Sequence, residues 1–162
     1  MSTALVVVIS VMAALVLSAL GFAVFLLLAL RFRVPWAHRL VRRANRAGAN
    51  RIQLRTAGRP GARYAVLHHR GRSSGAAFAT PLGAVPTDGA FEIVLPYGRG
   101  TDWLENLRAA GHARLEHEGV AYVVSDPEFL TVAEAASLTD ADRRGLRLFG
   151  TTEVVRLRAV PA

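Results

Sequence analysis

The sequence predicts a mainly β domain, a small antiparallel barrel with short helices, preceded by one N-terminal transmembrane helix. Three observations carry this. An uncharged run extends over 27 residues from Ala4 to Leu30. Behind it, short apolar stretches alternate with polar residues and are joined by hairpin-type turns, giving about six strands and about three short helices. The strands do not alternate with helices in βαβ fashion, which argues against a doubly wound parallel sheet and for a small barrel. No internal repeat appears at periods of about 20–50 residues.

As a helix, Ala4–Leu30 would be about 40 Å long, enough to cross a bilayer with tilt. Gly21 is tolerated in such a helix. A cleaved signal peptide has an apolar core of about 7–15 residues, a basic start and a small-residue cleavage site. This run is longer and no Lys or Arg precedes it. Residues 1–30 therefore read as a transmembrane signal anchor. Arg31, Arg33, Arg39, Arg42, Arg43 and Arg46 follow directly. The positive-inside rule then predicts a single-pass protein of the cell (inner) membrane with residues 31–162 in the cytoplasm.

Residues 31–62 read as a basic juxtamembrane helix and linker. Pro35 to Ala47 suits a short helix with Trp36, Leu40 and Val41 on one side and Arg on the other. Membrane lipid is thereby an expected partner of residues 4–46. An ordinary solvated basic linker is the plainer alternative.

Charge supports this division. The chain carries a net +8. Residues 1–87 hold 12 Arg and no acid, whereas residues 88–162 hold 8 Arg and 12 acids, a balance of 8 − 12 = −4. The positive excess lies between Arg31 and Arg72, beside the apolar run, which favours anionic lipid as its partner. Aromatic interleaving is thin there, with Phe32, Trp36 and Tyr64, so nucleic acid is not expected. The chain has no Cys. Disulfides, thiolate nucleophiles and Cys-based metal centres are thereby excluded. The remaining length is enough for a core without such staples.

The soluble domain is expected over residues 63–162. Gly48–Ala62 reads as a connector, with a short edge strand at Ile52 and Leu54. Tyr64–Leu67 is an apolar strand ending at His68-His69. Ala76–Val85 is a second, with Pro81 pointing to an edge or a bulge. Asp88-Gly89 is a hairpin turn. Phe91, Ile93 and Leu95 then alternate with Glu92 and Val94. Thr101–Ala110 is a helix, with Thr101 as N-cap, Asp102 at its positive end and Gly111 as its stop. Its apolar stripe is Trp103, Leu104 and Leu107. His112–Ser125 is a hairpin turning at Glu118-Gly119 and ended by Asp126-Pro127. Thr131 to Glu134 has the spacing of a capping box that opens a short helix. Thr139 caps another helix ending near Gly150. Thr151–Val160 is the last strand, with Val155, Leu157 and Ala159 on one face.

The chemistry gathers in two polar, Gly-rich loops. Gly71-Arg72-Ser73-Ser74-Gly75 has two open readings. It is a plain turn with a solvated Arg72, or an anion site in which backbone N–H groups, two hydroxyls and Arg72 converge. Pro96-Tyr97-Gly98 follows a strand, where Tyr97 either stacks on a flat ring or simply turns. Asn106 is a poor mid-helix residue and shares a face with Trp103 at i and i+3, so it is either a plain surface Asn or a residue of a site. A Trp in this position is more often core than a cofactor contact. His68 and His69 are adjacent in a strand, point to opposite faces and cannot easily share a metal. His112 and His117 lack any recognised ligand spacing, so no metal is expected. No nucleophile elbow is present, and nothing pairs Ser73 or Ser74 with a His for hydrolysis.

Together these residues resemble the deazaflavin-dependent nitroreductase family, the split-β-barrel oxidoreductases that use coenzyme F-420. The resemblance rests on Ala65-Val66-Leu67-His68, Gly71-Arg72-x-Ser74-Gly75, Thr80-Pro81-Leu82 and Leu95-Pro96-Tyr97-Gly98. Asp102-Trp103-x-x-Asn106-Leu107 and Ala109-Ala110-Gly111 follow in the family's order. It implies a split β-barrel, FMN-binding-like, with a cofactor groove. Arg72, Ser73, Ser74 and Gly75 would then face the phosphate and polyglutamate tail. Thr80, Pro81, Leu82, Tyr97 and Gly98 would face the deazaflavin ring, and Trp103 and Asn106 would support the groove wall. Tyr97 becomes the candidate catalytic residue, donating a hydrogen bond to an oxygen being reduced. Many relatives carry basic residues after the second Gly, where this chain has Ala76-Ala77-Phe78-Ala79, and Arg70 or Arg99 is expected to compensate. Barrels of this kind often pair into homodimers.

The implied activity is hydride transfer from the reduced deazaflavin to a small hydrophobic electron acceptor, a quinone or nitro compound, at the membrane. Two alternatives stay open at this point. One is an FMN-dependent enzyme of the same fold. The other is a non-catalytic membrane-tethered module that binds a ligand or partner.

Overall fold

The computed structural model of the protein describes residues 3–31, 34, 48 and 50–162. Helix α1 (Thr3–Arg31) contains an apolar stretch, Leu5–Ala29, long and apolar enough to cross a bilayer. Large side chains along it, such as Leu17 and Phe22, are exposed. A helix apolar all round suits lipid, and a signal sequence near the N-terminus meets the same test. The juxtamembrane helix expected over Pro35–Ala47, with Trp36, Leu40 and Val41, lies outside the described residues. So do Arg33, Arg39, Arg42, Arg43 and Arg46.

The domain is one antiparallel sheet of seven strands. These are β1 (Ala65–Arg70), β2 (Ala77–Leu82), β3 (Ala84–Thr87), β4 (Ala90–Val94), β5 (His112–His117), β6 (Val120–Thr131) and β7 (Glu153–Pro161). Their spatial order is β2-β1-β5-β6-β7-β4-β3. The two edge strands, β2 and β3, are consecutive in the chain and separated only by Gly83. The sheet must therefore curl until its edges meet at Gly83, giving a barrel that is split along the β2/β3 seam.

Local chemistry explains most elements. Val66 lies opposite Pro81, so Pro81 sits on an edge strand, where its missing N–H costs no ladder bond. The stretch expected as one strand from Ala76 to Val85 breaks in two at Gly83. Gly89 turns the β3–β4 hairpin at φ +65. Helix α3 (Asp102–Ala110) stops at Gly111, whose φ of +79 lets its N–H reach the Leu107 carbonyl. Leu104 and Leu107 of α3 are fully buried against Leu67, Leu115 and Leu157. Truncating such a leucine to alanine costs about 2–5 kcal/mol. Helix α4 (Asp140–Leu148) opens with a complete capping box between Thr139 and Asp142.

Several expectations are corrected. Ile52 and Leu54 form no strand; Asn50–Gln53 is a short helical turn, α2. The Gly and Pro residues after it make tight turns that seat the segment on the barrel. Gly58 N–H donates to the Tyr64 carbonyl at 2.7 Å, and Gly61 N–H donates to Glu118 Oε2 at 2.7 Å. Asp126-Pro127 does not end its strand. β6 runs on to Thr131 through a bulge between Ser125 and Glu128, with Asp126 at φ +51. A bulge accommodates a Pro that cannot donate to the ladder. Thr131 and Glu134 do make reciprocal capping bonds, but they close a turn rather than a helix.

Glu92 is the clearest departure from the alternating pattern. It is 1% exposed. Its carboxylate accepts from Arg156 Nη2 at 2.8 Å and from the N–H of Ser137 at 2.9 Å. Burial alone would push its carboxyl up, but bonds from Ser137, Arg156 and Ala136 hold it below the ordinary carboxylate range. The buried charge thereby fastens the turn after β6 onto β4 and β7.

Candidate functional site

A cleft of about 910 Å³ opens beside the seam. It is walled on four sides, one of them shared by two consecutive segments. The loop after β1 supplies Gly71, Arg72, Ser73 and Ser74, and edge strand β2 supplies Phe78 to Leu82. The end of β4 and the next turn supply Ile93 to Tyr97, and the start of α3 supplies Thr101, Asp102, Trp103 and Asn106. The fourth side is α2, through Asn50, Arg51, Gln53 and Leu54.

The 71–75 loop is tightly folded. Gly71 N–H donates to the Ala76 carbonyl at 2.9 Å, Gly75 N–H to the Gly71 carbonyl at 2.8 Å, and Ala76 N–H to Ser74 Oγ at 3.3 Å. Gly75 adopts φ +66. Gly71 is needed for room, since a Cβ there would lie 2.5 Å from Ser74 Oγ and 2.9 Å from Phe78. Among the described residues, the N–H groups of Ser73 and Ser74 have no internal acceptor. Two such donors beside a guanidinium suit an oxyanion.

Arg72 is held rather than merely solvated. Its N–H and Nη1 both donate to Asn106 Oδ1, at 3.0 and 3.1 Å, and Nη1 lies 3.6 Å from Asp102. Asn106 is 4% exposed, so the mid-helix Asn is a buried anchor for the loop. Its Nδ2 also lies 3.0 Å from His69 Nδ1, and His69 Nε2 lies 2.9 Å from Thr80 Oγ1, both within hydrogen-bond distance. Phe78 stacks on the imidazole with centroids 5.7 Å apart. Burial lowers the His69 pKa, opposed by nearby Asp102 and assisted by His68. His68 points the other way, exposed and 3.4 Å from Glu116.

The opposite end is apolar. Leu82, Ile93, Leu95 and Trp103 belong to the main core or pack on it, and they reach the cleft surface. Trp103 is thus both core and wall. Tyr97 is half-buried on the same side, on the turn closed by Gly98 N–H to the Leu95 carbonyl at 3.0 Å. Thr101 stands at the expected N-cap position but makes no side-chain cap bond, and among the described residues its buried hydroxyl has no partner.

Of the residues singled out in the sequence, Arg72, Ser73, Ser74, Thr80, Pro81, Leu82, Tyr97, Trp103 and Asn106 line this one cleft. Gly75 and Gly98 do not line it; they shape the turns that do. Neither cation expected to compensate for the missing basic residues faces it. Arg70 donates to the Gly75 carbonyl at 3.3 Å, and Arg99 donates to Glu153 at 2.8 Å. Asp102 was read as a helix-start charge and a motif residue and His69 as one of a histidine set, but neither they nor Arg51 were assigned to the site. His69 was visible only as half of a His pair, and Arg51 lay in a connector read as a short edge strand rather than as a helical turn.

The family model for F420H(2)-dependent quinone reductase matches residues 37–147. The chain belongs to this family. It is an oxidoreductase with reduced coenzyme F-420 as its cofactor. No curated protein matches the chain. Among solved structures, an F420-H2 dependent reductase (FDR-A) aligns at 14% identity with TM-score 0.36, covering 59% of this chain and 93% of its own. An F420 reductase aligns at 9% identity and TM-score 0.38, covering 65% and 91%. The conserved hypothetical protein Rv2991 from Mycobacterium tuberculosis aligns at 14% and 0.38, covering 62% and 78%.

The residues present fit the coenzyme. A flat heteroaromatic ring with an anionic tail needs a cleft that is apolar at one end and donor-rich at the other, and this cleft has both. The unpartnered Thr101 hydroxyl adds a buried polar atom on its wall.

Proposed function

We propose that this reductase is anchored by α1 in the membrane, faces the cytoplasm, and reduces a quinone taken from the bilayer. When bound, the reduced coenzyme supplies a hydride to the acceptor. The chain's own residues bind, orient and exclude water. Arg72, with the open N–H groups of Ser73 and Ser74, is assigned to the phosphate and polyglutamate tail. Arg51, across the cleft on α2, takes the place of the basic residues absent after Gly75. Thr80, Pro81 and Leu82 on one side, and Tyr97 on the turn shaped by Gly98, are assigned to the ring. Trp103 forms the dry wall, and Tyr97 donates to the acceptor oxygen.

The observation that supports this best is the polarity of the cleft, from the Arg72 loop to the Leu82–Trp103 wall. The membrane element of the reading rests on the apolar stretch Leu5–Ala29 and the Arg-rich flank behind it. The test is turnover of the full chain in lipid nanodiscs, followed as loss of reduced coenzyme. Faster oxidation with a bilayer-partitioning quinone than with its water-soluble analogue is expected. Equal rates with both would remove the membrane acceptor from the reading, and no saturable quenching of oxidised coenzyme F-420 would remove the site itself.

A further inference from the structure

We propose that His69 is a positioning residue that turns the Thr80 hydroxyl into a one-way hydrogen-bond donor toward the ligand, while Asn106 couples the same imidazole to the Arg72 loop. The ligand side of this inference rests on the reading of the cleft as the coenzyme site.

Hydrogen-bond polarity fixes the tautomer. Asn106 Oδ1 faces two donors, the Arg72 N–H at 3.0 Å and its Nη1 at 3.1 Å. An amide presents one acceptor and one NH₂, so the oxygen must stand on the Arg72 side and Nδ2 on the His69 side. His69 Nδ1 then accepts at 3.0 Å and carries a lone pair. The ring proton is therefore on Nε2, which donates to Thr80 Oγ1 at 2.9 Å. With one lone pair of Oγ1 occupied, the Thr80 hydrogen points elsewhere. Among the described residues no acceptor takes it, and Thr80 lines the cleft. The ligand atom opposite Thr80 must consequently be an acceptor, such as a carbonyl oxygen, an oxyanion or an unprotonated ring nitrogen.

The sheet register makes this arrangement possible. His69 lies opposite Phe78, and Thr80 is the diagonal neighbour two residues on, on the same face as buried Leu67. Charged neighbours are His68 on the same strand, Arg72 on the loop and Asp102 on α3, whereas β2 presents only Phe78 and Thr80 to the ring. Burial favours the neutral imidazole that the geometry requires. Protonation would set an Nδ1–H against Asn106 Nδ2. Flipping the amide would only move the clash to the two Arg72 donors. Acid thus loosens the Arg72 loop whichever way the amide turns.

The test uses the full chain in detergent micelles. Nitrogen NMR of ¹⁵N-histidine protein, with His69 assigned by His69→Gln, should show the Nε2–H tautomer and a titration midpoint below 6.5. An Nδ1–H tautomer, or a midpoint at or above 6.5, would overturn the proposal. Fluorescence titration with oxidised coenzyme F-420 gives the second readout. Thr80→Val should bind about five- to tenfold more weakly and Thr80→Ser nearly as well as the parent. Equal binding by Thr80→Val and the parent overturns the proposal. Failure of the parent to bind the coenzyme at all overturns the coenzyme reading instead, and the tautomer then decides the role of His69 alone.

Discussion

Arg99 Nε donates to Glu153 Oε1 at 2.8 Å, and its guanidinium lies 4.2 Å above the Phe129 ring. This cation braces the turn after β4 against β6 and β7. Arg51, by contrast, is exposed on α2 and lines the cleft. The two arginines should therefore separate in binding. Arg51→Ala should weaken coenzyme F-420 binding by about three- to tenfold, with most of the difference lost at high salt. Arg99→Ala should leave binding within about twofold while lowering stability by about 0.5–1 kcal/mol, the scale of an exposed ion pair. Titrations at two ionic strengths check both.

Glu92 gives a stability prediction with a defined pH dependence. Glu92→Ala removes the acceptor for Arg156 and for the N–H groups of Ala136 and Ser137. Breaking a buried pair costs about 3–5 kcal/mol, but the Arg156 side chain is 33% exposed and keeps Glu128. A loss of about 2–3 kcal/mol is expected by denaturant unfolding at pH 7. Glu92 has a folded pKa below its value of 4.5 in the unfolded chain. Its contribution is then complete above pH 4.5 and fades as pH falls through the folded pKa. The gap between parent and variant should be constant above about pH 5.5 and close under more acid conditions.

Glu92 also marks the limit of what was legible. Hairpin turns, the Gly111 stop and the period-2 strands could be read because each is fixed by neighbours in sequence. Pro81 on an edge strand was legible for the same reason. Glu92 looked like the solvent side of an alternating strand because its partners, Arg156 and Ser137, come from distant elements. The cleft residues were legible as short motifs, and their convergence was implied by the family resemblance. His69 and Arg51 were not, since one needed the β1–β2 register and the other needed α2 folded against β2. Arg70 and Arg99 looked available because nothing local announces Gly75 or Glu153 as their acceptors.

The two loop glycines should respond differently to alanine. At Gly71 the new Cβ meets Ser74 Oγ at 2.5 Å and the Phe78 ring at 2.9 Å. At Gly75 there is open space, but φ is +66. Gly71→Ala should displace Ser74 and Phe78 and cost more than tenfold in coenzyme affinity, because the open N–H groups move with them. Gly75→Ala should cost about 1 kcal/mol of backbone strain and a smaller loss of affinity. Comparing unfolding midpoints with coenzyme titrations distinguishes the two causes.

Asn106→Asp separates the two functions that the Asn106 amide combines. An aspartate keeps an acceptor for the Arg72 N–H and Nη1, so the loop should stay anchored. It loses the NH₂ that His69 Nδ1 now accepts from. A carboxylate there attracts the proton to Nδ1 and favours the imidazolium, so the His69 midpoint should rise above that of the parent. Where the ring is neutral, the proton should sit on Nδ1, and Nε2 should become an acceptor. The Thr80 hydroxyl would then turn its hydrogen toward Nε2 and offer the cleft a lone pair. Coenzyme affinity at alkaline pH should fall about as far as in Thr80→Val, and adding Thr80→Val to Asn106→Asp should cost little more. Additive losses in the double variant would mean that Asn106 acts on the ligand through Arg72 and not through His69.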